Sequence, residues 1–168
     1  MLSLFYKLDN AVASLEKLLM MVMCGVLSLL LISQAVLRYV FSSPLFWAEE
    51  VALFMLLGVT FFGMSYLLHE KKLISIDFIV MSIRQARLRA LLACVSALLG
   101  TLLLGFLCWL TWQWVAAPEV RLEMSATTGL PRWLNYGFLL LALCLMLFHQ
   151  VVALFHYIDQ LLAGGESK

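Results

Sequence analysis

The sequence predicts an all-α integral membrane protein: four transmembrane helices, both termini cytoplasmic, and cytoplasmic interfacial amphipathic helices near the N-terminus and between helices two and three. Three observations carry that prediction. The 168 residues are 64% hydrophobic and 12% charged, with a mean hydropathy of +1.01, more apolar surface than a soluble domain can bury. Four stretches contain no Asp, Glu, Lys or Arg, at 18–37, 51–68, 90–118 and 133–158, and each is near or above the ~20 helical residues that cross the hydrocarbon core. The charges gather between these stretches and form no stripe, so they report topology and give no sign of a nucleic-acid partner.

Residues 1–17 read as an interfacial helix. Leu4, Phe5, Leu8, Val12 and Leu15 share a face, and Lys7, Asp9, Asn10 and Ser14 lie off it, the pattern of a helix lying in the headgroup layer. The first span is assigned to 18–38. It is too long for a signal h-region and lacks a small-x-small cleavage site, so it is expected to remain as an anchor.

The second span is assigned to 44–68, with Ser43 as N-cap and Pro44 in the first turn. Phe46 and Trp47 favour the interface. Residues 74–86 form a second candidate interfacial helix, because Ile76, Ile79, Val80 and Ile83 follow i, i+3, i+4, i+7 spacing beside Asp77 and Arg84. The third span, 88–115, is longer than a crossing needs, and Trp109, Trp112 and Trp114 mark its outer interface. Along it Ala93, Ala97, Thr101 and Gly105 recur every four residues, a strip of small side chains suited to close helix approach within this chain or on a partner subunit. The fourth span, 131–157, carries Trp133 and Tyr136 at the same outer level.

Basic residues set the orientation. Eight of the eleven, Lys7, Lys17, Lys71, Lys72, Arg84, Arg87, Arg89 and Lys168, fall on one side, against Arg38, Arg121 and Arg132 on the other. The richer side is cytoplasmic, so the termini face inward and Glu49 and Glu50 face the periplasm or exterior.

Several function classes lose support. All four cysteines lie in apolar runs, leaving none for an extracellular disulfide. No nucleophile, base and acid cluster as a catalytic set, and no phosphate-binding glycine motif is present, so the chain is read as no enzyme, with no cofactor or metal. A self-sufficient ion-coupled carrier needs intramembrane ionisable groups or broken helices, whereas the span interiors offer Gln34, Gln113 and scattered Ser, Thr and His. An alternative is a four-helix membrane cytochrome-type redox subunit: His69, His149 and His156 all fall toward the cytoplasmic side, and a pair from different helices is the arrangement that clamps a haem.

The adjacent acids Glu49 and Glu50 point about 100° apart on a helix. An acid at or below headgroup level calls for a partner. Arg38, ending the first span on the same side with Gln34 one turn below, is the nearest in this chain; the alternative is two solvated acids near a helix N-terminus.

The segments "LRYVFSSPLFWAEEV", "VTFFGMSYLLHEKK", "LISIDFIV" and "TTGLPRWLNYGF", set between the four apolar helices, resemble the small, or Q, membrane subunit of tripartite ATP-independent periplasmic (TRAP) transporters over nearly the whole chain. Arg38-Tyr39, Trp47-x-Glu49-Glu50, Gly63, Ile74-x-Ile76-Asp77 and Gly129-Leu130-Pro131 carry the likeness, while Leu73 stands where many members have histidine. The resemblance implies a subunit of the bacterial inner membrane, surrounded by lipid, that holds a large (M) permease subunit. That large subunit moves an organic acid, such as a C4-dicarboxylate or sialic acid, by a sodium-driven elevator motion, after capture by a periplasmic substrate-binding (P) protein. Arg38, Trp47, Glu49 and Glu50 are accordingly the candidates for outer-side charge pairing or subunit docking, and the resemblance implies that the small subunit does not choose the substrate.

Overall fold

The computed structural model describes residues 2–70, 86–125 and 127–162. The described residues form five helices: α1 (Leu2–Tyr39), α2 (Phe46–His69), α3 (Ala86–Ala116), α4 (Pro118–Leu122) and α5 (Trp133–Leu162). Four of these, all but the short α4, are long and apolar enough to cross a membrane. The interfacial helix expected at 74–86 lies, except for Ala86, outside the described residues.

α1 is one unbroken helix of 38 residues, about 57 Å at 1.5 Å per residue, where the sequence reading places an interfacial helix at 1–17 and a span at 18–38. The segment "ASLEKLLM" that joins the two contains no glycine or proline and is built of strong helix formers, so nothing breaks the backbone ladder there. At its far end the Ser43 amide donates to the Leu37 carbonyl at 3.0 Å, with Ser42 in the left-handed region at φ 51°. Ser43 is thereby used to close α1. α2 consequently starts later than expected, at Phe46, with extended Leu45 at the N-cap, no side-chain cap bond, and Pro44 outside the helix.

The long helices pack in the order α1, α2, α5, α3, with the strongest contacts between α1 and α2, α2 and α5, and α5 and α3. This is an open row, not a closed bundle. Burial follows position in the row: 33% of the α5 span and 22% of the α2 span are buried, against 6% for α1 and for α3. The α2–α5 seam is aromatic. Phe138 stacks near Phe54 at 4.7 Å and meets Phe62 edge-on at 5.1 Å, offset geometries that suit ring quadrupoles. Met23 of α1 and Ala142 of α5 complete that core around Phe62. Gly58 sits at the tightest crossing, where an added Cβ would stand 2.9 Å from a Phe138 ring carbon and press on Met23.

Candidate functional site

Ionisable side chains converge at both ends of the row. At the end holding the α1–α2 turn, Glu50 reaches the loop before α5. Its Oε2 accepts hydrogen bonds from the hydroxyls of Ser125 and Thr127, and from that of Thr128 at 3.3 Å. The loop is built to present those hydroxyls. An antiparallel bridge joins Met124 and Pro131, the Ser125 amide donates to Leu130 at 2.9 Å, and Gly129 takes φ 67°, a conformation that costs glycine little. The Ser125 hydroxyl in turn accepts from the amides of Thr127 and Thr128. Glu50 therefore ties α2 to the α4–α5 connection.

Glu49 faces α1 instead and accepts from Gln34 Nε2 at 3.4 Å. The Arg38 guanidinium lies 5.9 Å from the centre of the Tyr39 ring, and among the described residues no ion pair joins it to either acid. The expected Arg38–glutamate pair is thus replaced by hydroxyl and amide donors. Glu50 turns toward the loop because the hydroxyls at 125, 127 and 128 converge there, which only the fold reveals. Trp47 is 44% exposed, consistent with an interface position.

The four-residue strip on α3 divides. Ala97 is buried at 4% exposure, and its carbonyl accepts from Gln150 of α5 at 3.1 Å and from Thr101 at 2.8 Å. Ala93 and Thr101 are half-buried. Beyond them Gly105 faces open space, with no atom within 4 Å of an added Cβ. One end of the strip packs on this chain's own α5, and the other is unfilled.

The opposite end of the row holds what sequence reasoning missed. Asp9 and Glu16 of α1, His69 and Ser65 of α2, and His149 of α5 form one buried network. His149 Nδ1 lies 2.5 Å from Asp9 Oδ1, and its Nε2 lies 3.1 Å from Glu16 Oε2. His69 Nδ1 lies 2.8 Å from Asp9 Oδ2, and the Ser65 hydroxyl donates to Glu16 Oε1 at 2.7 Å. Glu16 is 1% exposed and His149 2%. Every buried side-chain polar atom among the described residues has a partner, as burial demands. Helix geometry explains the convergence: Asp9 and Glu16 are seven residues apart and Ser65 and His69 four, so each pair shares a face. Asp9, which the sequence reading sets off the apolar face of residues 1–17, in fact points into the protein, as does Glu16.

Of the three histidines considered for a haem, His69, His149 and His156, the first two form one such pair from different helices. Their ring centroids are 5.2 Å apart in an edge-on arrangement, and both turn Nδ1 toward Asp9. That geometry leaves no room for a macrocycle between them.

Residues 17–160 match the family described as tripartite ATP-independent periplasmic transporters, DctQ component. A curated relative, the C4-dicarboxylate TRAP transporter small permease protein DctQ of Vibrio cholerae serotype O1, is 24% identical over 192 aligned positions, covering 99% of this chain and 82% of the relative.

Proposed function

The chain belongs to the DctQ component family of tripartite ATP-independent periplasmic transporters, and from that premise we propose that it scaffolds a large permease subunit that does the transporting. Membership makes it a multi-pass inner-membrane transporter subunit and not an enzyme. The observation that carries the scaffold reading is the open row. α1 and α3 are each covered along one side, with long apolar stretches left uncovered, among them Leu29, Ile32, Leu99, Leu102 and Leu103 at 60% exposure or more. In a bilayer such faces are met by lipid or by the helices of another subunit. Among the described residues the buried ionisable groups within the row are engaged with one another, and no buried charged or unwound element there is left to grip an anion.

In this reading both termini are cytoplasmic, following the basic-residue count. The end with the α1–α2 turn faces the periplasm, where the Glu50-tethered loop, Trp47, Glu49 and Arg38 form a surface for the large subunit or the periplasmic binding protein. The cargo is an organic acid of the C4-dicarboxylate type, supported by the relative's name, and the transport is driven by sodium. Tagged chain expressed with the large subunit should recover it in a stoichiometric complex from mild detergent. Recovery of the chain alone, with the large subunit stable and active elsewhere in the gradient, would remove the scaffold role.

A further inference from the structure

We propose that Asp9, His69 and His149 form a binding site for one divalent transition-metal ion of the zinc class, with Glu16 holding His149 in its ligating orientation. The three side chains offer ligand atoms that all lie within 4.8 Å of one another, and they come from three helices, α1, α2 and α5.

Each close contact in this cluster sets a carboxylate oxygen against a ring nitrogen, so each needs a cation or a proton between the two lone pairs. Asp9 makes two such contacts through opposite oxygens, at 2.5 Å to His149 Nδ1 and at 2.8 Å to His69 Nδ1. With protons alone, His149 donates from both nitrogens and carries one positive charge, His69 donates as a neutral ring, and the two carboxylates leave the buried group at one net negative charge. Among the described residues no lysine or arginine pairs with Asp9 or Glu16. One M²⁺ at Asp9, with His149 releasing its Nδ1 proton and His69 moving its proton from Nδ1 to Nε2, makes both imidazoles neutral and brings the group to zero, the better state in a poorly solvated site.

The outer contacts fit the same assignment. A ligating histidine commonly donates its second ring N–H to a carboxylate that fixes its orientation. Here His149 Nε2 meets Glu16 at 3.1 Å and Glu16 is held by Ser65 at 2.7 Å. Zinc bonds of ~2.0–2.1 Å in tetrahedral geometry put ligand atoms ~3.3 Å apart, so the Asp9 and imidazole atoms need to part by less than ~1 Å and the widest ligand pair, within 4.8 Å, to close by up to ~1.5 Å, both side-chain adjustments. Two imidazoles and a carboxylate select zinc-like ions over the hard cations Mg²⁺ and Ca²⁺, which take oxygen ligands. Three protein ligands leave a further position for water.

The full chain, purified with a histidine-free tag and stripped with chelator, would be titrated with Zn²⁺ by calorimetry and with Co²⁺ by visible absorption. The expected result is one Zn²⁺ per chain, undiminished by excess Mg²⁺, with cobalt ligand-field bands of a low-symmetry site. Glu16→Gln should weaken binding ~10–100-fold, and His69→Gln, at the last residue of α2 and away from the deepest part of the cluster, should abolish the bands while the chain stays folded. His149→Gln should abolish them too, but by itself it does not separate ligand loss from misfolding, so His69→Gln decides. Absence of Zn²⁺ binding to the wild-type chain, or binding unchanged in folded His69→Gln, would overturn the proposal and leave a cluster held by protons alone.

Discussion

Glu16 of α1 and His149 of α5 face each other at 3.1 Å across 133 residues of sequence, both almost wholly buried. With Asp9 they clasp the first helix of the row to α5, two helices that otherwise touch little.

Removing one side of such a clasp strands the other. Glu16→Leu should destabilise the chain by about 3–5 kcal/mol, the usual effect of orphaning a buried charge, read as a fall in thermal midpoint in detergent. Glu16→Leu combined with His149→Leu should recover part of that loss, because apolar pairs replace buried ion pairs well. A single variant as stable as wild type would mean that the clasp carries no stability.

Glu50 is predicted to order the loop it binds. Glu50→Ala removes the shared acceptor of Ser125, Thr127 and Thr128, so amide hydrogen exchange across residues 123–132 should quicken, while α2 and α5 keep their protection. Glu49 is bonded, among the described residues, to Gln34, so Glu49→Ala should leave that loop unchanged. Equal behaviour of the two variants would contradict the assignment.

Charge reversal gives a related expectation. Arg38→Glu should not rescue Glu49→Arg or Glu50→Arg in assembly or uptake, since the partners of the two acids are uncharged. Rescue in either combination would restore the arginine–carboxylate pair expected from sequence.

The α3 strip should split by position. Ala97→Leu overpacks the α3–α5 contact and should cost about 1–3 kcal/mol, seen as a lower thermal midpoint of the isolated chain. At Gly105 an added Cβ meets nothing within 4 Å, so Gly105→Leu should leave that midpoint in place. If Gly105→Leu nevertheless lowers recovery of the large subunit, the open end of the strip faces that subunit. An isolated-chain loss for Gly105→Leu as large as for Ala97→Leu would refute the split.

The four spans are legible because hydropathy and charge exclusion act over twenty-residue windows, which tolerate errors at any one position. Boundaries are less so. Pro44 and Ser43 look like a helix start, yet Ser43 is drawn into closing α1, a competition between two helix ends that local preference does not resolve. The cluster is harder still: Asp9, His69 and His149 come from three helices and meet only once the row is packed. A signal existed. Asp9 and Glu16 lie seven apart on a helix that runs unbroken into an apolar span, and His69 and His149 fall at the same end. Reading residues 1–17 as a separate interfacial helix placed those acids in the headgroup layer and hid it. Glu50 has the same lesson at the other end, because its hydroxyl partners, 75 to 78 residues away, announce nothing by themselves.

The central claim, that this chain is an indispensable scaffold and not itself the mover, is tested most directly by uptake into vesicles. Large subunit and binding protein would be reconstituted with and without this chain, under an inward sodium gradient, with a labelled C4-dicarboxylate outside, beside vesicles holding this chain alone. Uptake is expected only when all three proteins are present, and none by this chain alone. Full uptake in its absence, or uptake by the chain on its own, would contradict the claim.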